Sequence, residues 1–185
     1  MSTVEIIAAL LGVANILLVI RRSIWNYPFA LAMVALYFLV FWDAKLYSDA
    51  VLQIFFFVIN VYGWWSWSRA RTVDDGVVVR WLSRRAQAWW LGGTIATVLV
   101  WGTMMQRFTD AAAPMADATV AGLSVAAQIL QSQRRVESWL LWIAVDVVAI
   151  GLYASRGLAV TAALYILFLV LAVTGLVQWE KKVAR

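Results

Sequence analysis

Seven stretches of the chain stay apolar for about the 17–25 residues needed to cross a hydrocarbon core. They are Val4–Ile20, Trp25–Trp42, Ser48–Trp67, Ala88–Gln106, Ala116–Gln131, Ser138–Ala154 and Leu158–Gln178. Polar residues gather between them, so the pattern predicts an all-α integral membrane protein of seven transmembrane helices. The fifth stretch is the least apolar, because Ser124, Gln128 and Gln131 fall within it. A helix polar on one face is stable where that face meets other helices or a cavity. The longest hydrophilic stretch, Ser68–Ala86, reads as a plain connector.

The charges give this pattern a direction. Glu5 stands at the start of the first apolar run and Arg21 and Arg22 follow it, the reverse of a cleavable secretory signal. Seven crossings place Arg21, Arg22, Arg69, Arg71, Arg80, Arg84, Arg85, Arg134, Arg135, Lys181, Lys182 and Arg185 on one side. Only Lys45, Arg107 and Arg156 fall on the other. Basic residues favour the cytoplasmic side, so the N-terminus is expected outside and the C-terminus inside.

Composition then narrows the chemistry. Of 185 residues, 64% are hydrophobic and 14% charged, against about 45–50% and about 25% in soluble domains. An ordinary water-soluble fold is excluded. The absence of histidine and cysteine removes an imidazole base, a thiol nucleophile, disulfides and metal sites built on those ligands. No metal and no cofactor are expected. The net charge of +5 is accounted for by topology, so no nucleic-acid partner is needed. Among the twelve tryptophans, Trp25, Trp42, Trp81, Trp89, Trp90 and Trp179 sit near span ends. There an indole anchors a helix in the headgroup layer.

A weak internal repeat accompanies the spans. Gly63-x-x-x-Trp67 closes the third and Gly175-x-x-x-Trp179 the seventh, 112 residues apart. Trp25 and Trp139 open the second and sixth, 114 residues apart, with the difference assigned to the loop between spans two and three. Three spans, a fourth, then three more give both triplets the same orientation. The expectation is a 3+1+3 parallel repeat about an axis along the membrane normal. Its parts are a first bundle (1–67), a connector and linker helix (68–106), and a second bundle with the C-terminal tail (107–185).

Polar and aromatic residues share helix faces inside these spans, at about 100° per residue. Gln53, Phe57, Asn60, Trp64 and Trp67 line span three; Trp139, Trp142, Asp146 and Tyr153 line span six. Span five offers Ser124, Gln128 and Gln131, and span seven Thr161, Tyr165 and Phe168. Single amides and hydroxyls also serve as glue between membrane helices. Flat rings beside amides instead suit a planar polar ligand. Asp146 is the one acid at mid-span, where ionised carboxylate costs at least about 2.5–3.5 kcal/mol.

Rival classes lack their key residues. A retinal protein needs a lysine deep in a span, and Lys45, Lys181 and Lys182 all lie in loops or the tail. An intramembrane aspartyl protease needs two facing acids, while Asp43, Asp49 and Asp117 lie near span ends. A non-enzymatic carrier is the better reading.

Longer motifs sharpen this. Trp25–Ala30 (WNYPFA), Ala44–Ala50 (AKLYSDA), Gln53–Trp67 (QIFFFVINVYGWWSW), Arg134–Val147 (RRVESWLLWIAVDV) and Thr161–Tyr165 (TAALY) together resemble the PnuC family of bacterial vitamin transporters. The similarity runs over nearly the whole chain. It implies a SWEET-like architecture, a homotrimer among membrane lipids, and the bacterial inner membrane. It also implies uptake of unphosphorylated nicotinamide riboside by facilitated diffusion, with trapping by cytoplasmic phosphorylation. Thiamine and riboflavin are the alternative cargoes. The matching positions for substrate are Gln53, Asn60, Trp64, Trp139, Trp142, Asp146 and Tyr165. Phe57, Trp67, Gln128, Tyr153 and Phe168 are candidates for gating or packing.

Overall fold

The computed structural model describes residues 3–43, 47–70, 72–73, 76–109, 113–157 and 159–183. Lys45, Arg71 and Arg185 of the charge count lie outside these residues. So do Leu158, the start of the AKLYSDA motif and the side chain of Asp49.

Seven α-helices form within the described residues: α1 (Thr3–Ile20), α2 (Asn26–Asp43), α3 (Tyr47–Ser68), α4 (Arg84–Phe108), α5 (Pro114–Ser132), α6 (Glu137–Ser155) and α7 (Ala159–Lys181). Each matches one expected span, with ends agreeing to within four residues. Five segments are long and apolar enough to cross a membrane: Asn26–Asp43, Ala50–Ser68, Arg84–Phe108, Glu137–Ser155 and Thr161–Lys181. The apolar run of α1, Ile6–Ile20, is shorter, and α5 carries the polar stripe. Between 11% and 33% of each crossing segment is buried within the protein. That much bare apolar surface is stable only in lipid, and the chain is a membrane protein.

The stretch between α3 and α4 is more than a connector. Thr72–Val73 (β1) and Gly76–Val77 (β2) pair antiparallel, with Thr72 opposite Val77. β-Branched Thr72, Val73 and Val77 suit the extended backbone of these strands. Val77 and Val79 are buried, as alternation along an extended strand allows. Val79 bridges Val183 in parallel, so the C-terminal end of the chain also packs here.

The chain divides into two compact units, Met1–Val79 with Ser132–Arg134 and Val177–Arg185, and Arg80–Gln131 with Arg135–Leu176. In the first unit, α2 packs against both α1 and α3. Its buried centre is an aromatic cluster. The Tyr27 ring meets Trp67 edge-on at 5.4 Å, and Trp67 lies 6.0 Å from Trp179. Trp179 is fully buried and its Nε1–H donates to the Val19 carbonyl at 3.0 Å. It is therefore a core residue, not the interfacial anchor its place near a span end predicts. An indole whose N–H finds a backbone carbonyl loses its reason to sit among headgroups. Trp25, Trp42 and Trp89 remain exposed.

In the second unit, Ser83 caps α4, its Oγ accepting from the Ala86 N–H. The Glu137 carboxylate at the start of α6 accepts from the Leu82 N–H at 2.7 Å and from Gln87 Nε2 at 2.8 Å. The base of α4 is thereby held to α6.

The turns α1–α2 and α5–α6 share one local geometry. Arg22 and Arg134 are the non-glycine residues of positive φ among the described residues, at 57° and 61°. Each ends its helix in a Schellman turn, with Ser23 N–H donating to Leu18 and Arg135 N–H to Leu130. The next two bonds also match: Asn26 to Ser23 and Tyr27 to Ile24, then Ser138 to Arg135 and Trp139 to Val136. Every pair is 112 residues apart.

The same spacing recurs deeper. A side chain on Gly63 would strike the Tyr27 ring at 2.6 Å, and one on Gly175 the Trp139 ring at 2.5 Å. The equivalent of Trp139 is therefore Tyr27, not Trp25, and no two-residue insertion is required.

Candidate functional site

In the first unit the candidates lie on α3, and the structure separates them by burial. Asn60 is buried, and its Nδ2 donates to the Phe56 carbonyl one turn back at 2.8 Å. That bond orients the amide along the helix wall. Trp67 belongs to the aromatic cluster. Phe57 and Trp64 are exposed, and Gln53 is partly buried. The face that the spacing groups as one stripe thus carries a buried amide among rings free to meet another surface.

In the second unit the candidates fall into two groups along α6. Trp142 Nε1–H donates to Gln131 Oε1 at 2.7 Å. This short bond between α6 and α5 fixes the plane of the indole. Gln128, one turn before Gln131, is buried beside it on α5. One turn beyond Trp142, Asp146 is only 4% exposed. Further along α6, the Tyr153 ring lies 5.2 Å from Tyr165 of α7, which meets Phe168 edge-on at 5.7 Å. Trp139 is buried with its ring against Gly175.

The arrangement supplies a fixed indole face, amide and carboxyl groups within two helix turns, and a phenol pair. Such groups hold a flat, polar molecule by stacking and hydrogen bonding. No group of three or more metal-ligating acids occurs among the described residues. Gln131 appears in the sequence stripe of span five but not among the expected substrate residues. Its signal is a partner eleven residues away across a helix turn, which helical periodicity alone does not reveal.

Comparison with known proteins decides the family. Residues 2–181 match the family model described as nicotinamide mononucleotide transporter. The chain belongs to this transporter family.

Known transporters are similar over nearly all of the chain. The nicotinamide riboside transporter PnuC of Escherichia coli is 28% identical, covering 97% of this chain and 85% of its own. The riboflavin/roseoflavin transporter RibM of Streptomyces davaonensis is also 28% identical, covering 95% and 83%. The crystal structure of the vitamin B3 transporter PnuC superposes with a TM-score of 0.79 at 25% identity, covering 96% and 80%.

Within this family member, the 112-residue register separates scaffold from candidate site. Counted back from the second unit, Gln131, Trp142 and Asp146 correspond to Val19, Ala30 and Val34, all buried and apolar. Counted forward, Asn60 corresponds to buried Ala172. Gln53 corresponds to Tyr165, a candidate in both halves. The turns and ring-on-glycine joints recur, while most polar candidates occur once.

Proposed function

We propose that the protein takes up nicotinamide riboside across the bacterial inner membrane by facilitated diffusion, and that cytoplasmic phosphorylation traps it. The observation that carries this reading is the Trp142 indole pinned by Gln131 one helix turn from buried Asp146. A pyridinium ring is a flat cation and stacks on aromatic faces. Ribose hydroxyls suit amide and carboxyl partners such as Asn60, Gln53 and Asp146. Trp64, Trp139 and Tyr165 complete the proposed contacts. Phe57, Trp67, Gln128, Tyr153 and Phe168 serve as gates or packing around them.

The relatives named for nicotinamide riboside and vitamin B3 support this cargo. The charge pattern supports the nucleoside over its phosphate. The basic residues lie at helix ends or between helices, leaving a phosphate at mid-membrane without a cationic partner and close to Asp146. The ligand leaves as it entered, so no catalytic step is required.

The architecture we infer is the 3+1+3 parallel repeat in a SWEET-like arrangement, with bundles at 1–67 and 107–185 and residues 68–106 between them. The repeated turns at Arg22 and Arg134 support it. The twelve-to-three bias of basic residues supports an outside N-terminus and a cytoplasmic C-terminus. Assembly as a homotrimer follows from the family resemblance.

A second reading has its own support. The riboflavin/roseoflavin transporter is as identical to this chain as the nicotinamide riboside transporter, and riboflavin and thiamine are also flat and polar. Calorimetry on the purified protein with nicotinamide riboside, nicotinamide mononucleotide, thiamine and riboflavin separates these cargoes. Tightest binding of nicotinamide riboside is expected. Tighter binding of riboflavin or thiamine would replace the cargo, and tighter binding of the mononucleotide would overturn the charge argument.

A further inference from the structure

A cavity lies apart from these residues, between α4 and α5. Its volume is about 310 Å³, and Trp89, Trp90, Gly93, Thr94, Gly122 and Ile129 are among its lining residues. It is open to the outside of the helices and mostly apolar. Gly93 leaves it open, since a side chain there would meet nothing within 4 Å. Thr97, also in the wall, spends its hydroxyl on the Gly93 carbonyl at 2.9 Å. The wall therefore offers a ligand little hydrogen bonding.

One end of the cavity is different. Arg85, Trp89, Gly93 and Thr97 follow one another at four-residue steps on a single ridge of α4. Arg84 and Arg85 are exposed at the start of that helix, and Arg80 is exposed just before it. Long basic side chains bury their stems and hold their charge at the membrane surface. The exposed Trp89 indole lies one turn inside Arg85, at the depth where indoles meet headgroups. An apolar slot thus runs into the membrane from a cluster of positive charge.

We infer that this slot binds one anionic phospholipid of the cytoplasmic leaflet, its phosphate at Arg84 and Arg85 and an acyl chain along Gly93. Charge complementarity selects the occupant: a copy of this basic protein brings no matching excess of negative charge, whereas anionic lipids are drawn to basic clusters. The side of the membrane rests on the orientation proposed above.

The test uses the absence of native cysteine. A Gly93→Cys variant carrying a bimane dye is placed in vesicles containing chain-brominated phosphatidylglycerol or chain-brominated phosphatidylcholine. Quenching should reach half its maximum at a lower mole fraction of the anionic lipid. Neutralising Arg84 and Arg85 with glutamine should weaken that preference about fivefold per arginine. Preserved uptake by these variants would keep the result separate from the transport reading. Equal quenching by both lipids would overturn the inference. So would efficient disulfide cross-linking of unlabelled Gly93→Cys copies, which would show that a second copy covers the slot.

Discussion

The turn between α1 and α2 and the turn between α5 and α6 are built alike and used differently. Both place an arginine in the left-handed region, a conformation that costs a non-glycine residue roughly 1–2 kcal/mol. Both follow it with the same hydrogen bonds and set an aromatic ring on a glycine of a later helix. The guanidinium groups then diverge. Arg22 donates to the Val77 carbonyl in the hairpin strand, while Arg134 donates to the carbonyl and Oγ of Ser66 at the end of α3. One turn fastens the hairpin; the other caps a helix C-terminus with a cation, which the helix dipole favours. Beyond the turns, Gln131, Trp142 and Asp146 stand where the first half has Val19, Ala30 and Val34. The turns and their ring-on-glycine joints occur at both places, while these polar residues occur at one.

The most severe way to break the comparison is at the joints. Gly63→Ala and Gly175→Ala each drive a methyl group into a ring, and overpacking of this kind costs about 1–3 kcal/mol. Thermal unfolding in detergent should show losses of similar size. A large loss at one glycine and none at the other would mean that the joints are not equivalent.

Next come the residues that differ. Trp142→Ala and Asn60→Ala should weaken nicotinamide riboside binding at least about tenfold, or about 1.4 kcal/mol, with little change in folded yield. Ala172→Asn, at the counterpart of Asn60, should leave binding unchanged. Loss of folded protein without a change in affinity would assign Trp142 and Asn60 to packing.

The helix pattern was legible in the sequence to within four residues at each helix end, because a lipid solvent demands long apolar runs and punishes any other arrangement. The glycine–tryptophan repeat was legible too, but its register was not. Trp25 resembles Trp139 in composition, yet Trp25 is exposed and Tyr27 occupies the equivalent buried place. Identity of residue type misleads where a phenol and an indole fill the same hole. Trp179 shows the converse: position near a span end predicted an anchor, and one hydrogen bond to Val19 made it core. The candidate stripes were legible as periodicity, whereas the Gln131–Trp142 bond depends on the rotation of two helices and has no signature along the chain.

A finer test addresses that bond. Gln131→Leu removes the acceptor and should weaken ligand binding by about 0.5–1.5 kcal/mol, while Gln131→Glu retains an acceptor and should recover most of it. Titration of ligand against the two variants separates an effect on the indole from a general loss of packing.

The smallest expected effect lies on the opposite end of the second unit. Arg156 and Asp117 form an ion pair at 3.3 Å with both side chains about one-third exposed. Exposed pairs contribute about 0–1 kcal/mol and weaken with salt. Asp117→Asn should shift the unfolding midpoint slightly at low salt and negligibly at high salt. A large, salt-independent shift would give this pair a structural weight that the joints at Gly63 and Gly175 are here assigned.

The central claim is that the protein carries an unaltered ligand down its gradient. Purified protein in liposomes, loaded with neither ATP nor an ion gradient, measures this directly through the entry of labelled nicotinamide riboside. The account predicts equilibration of the label to equal concentration inside and out, reached more slowly by the Trp142→Ala variant at limiting ligand. Failure to equilibrate, or uptake that requires a sodium gradient, would contradict it.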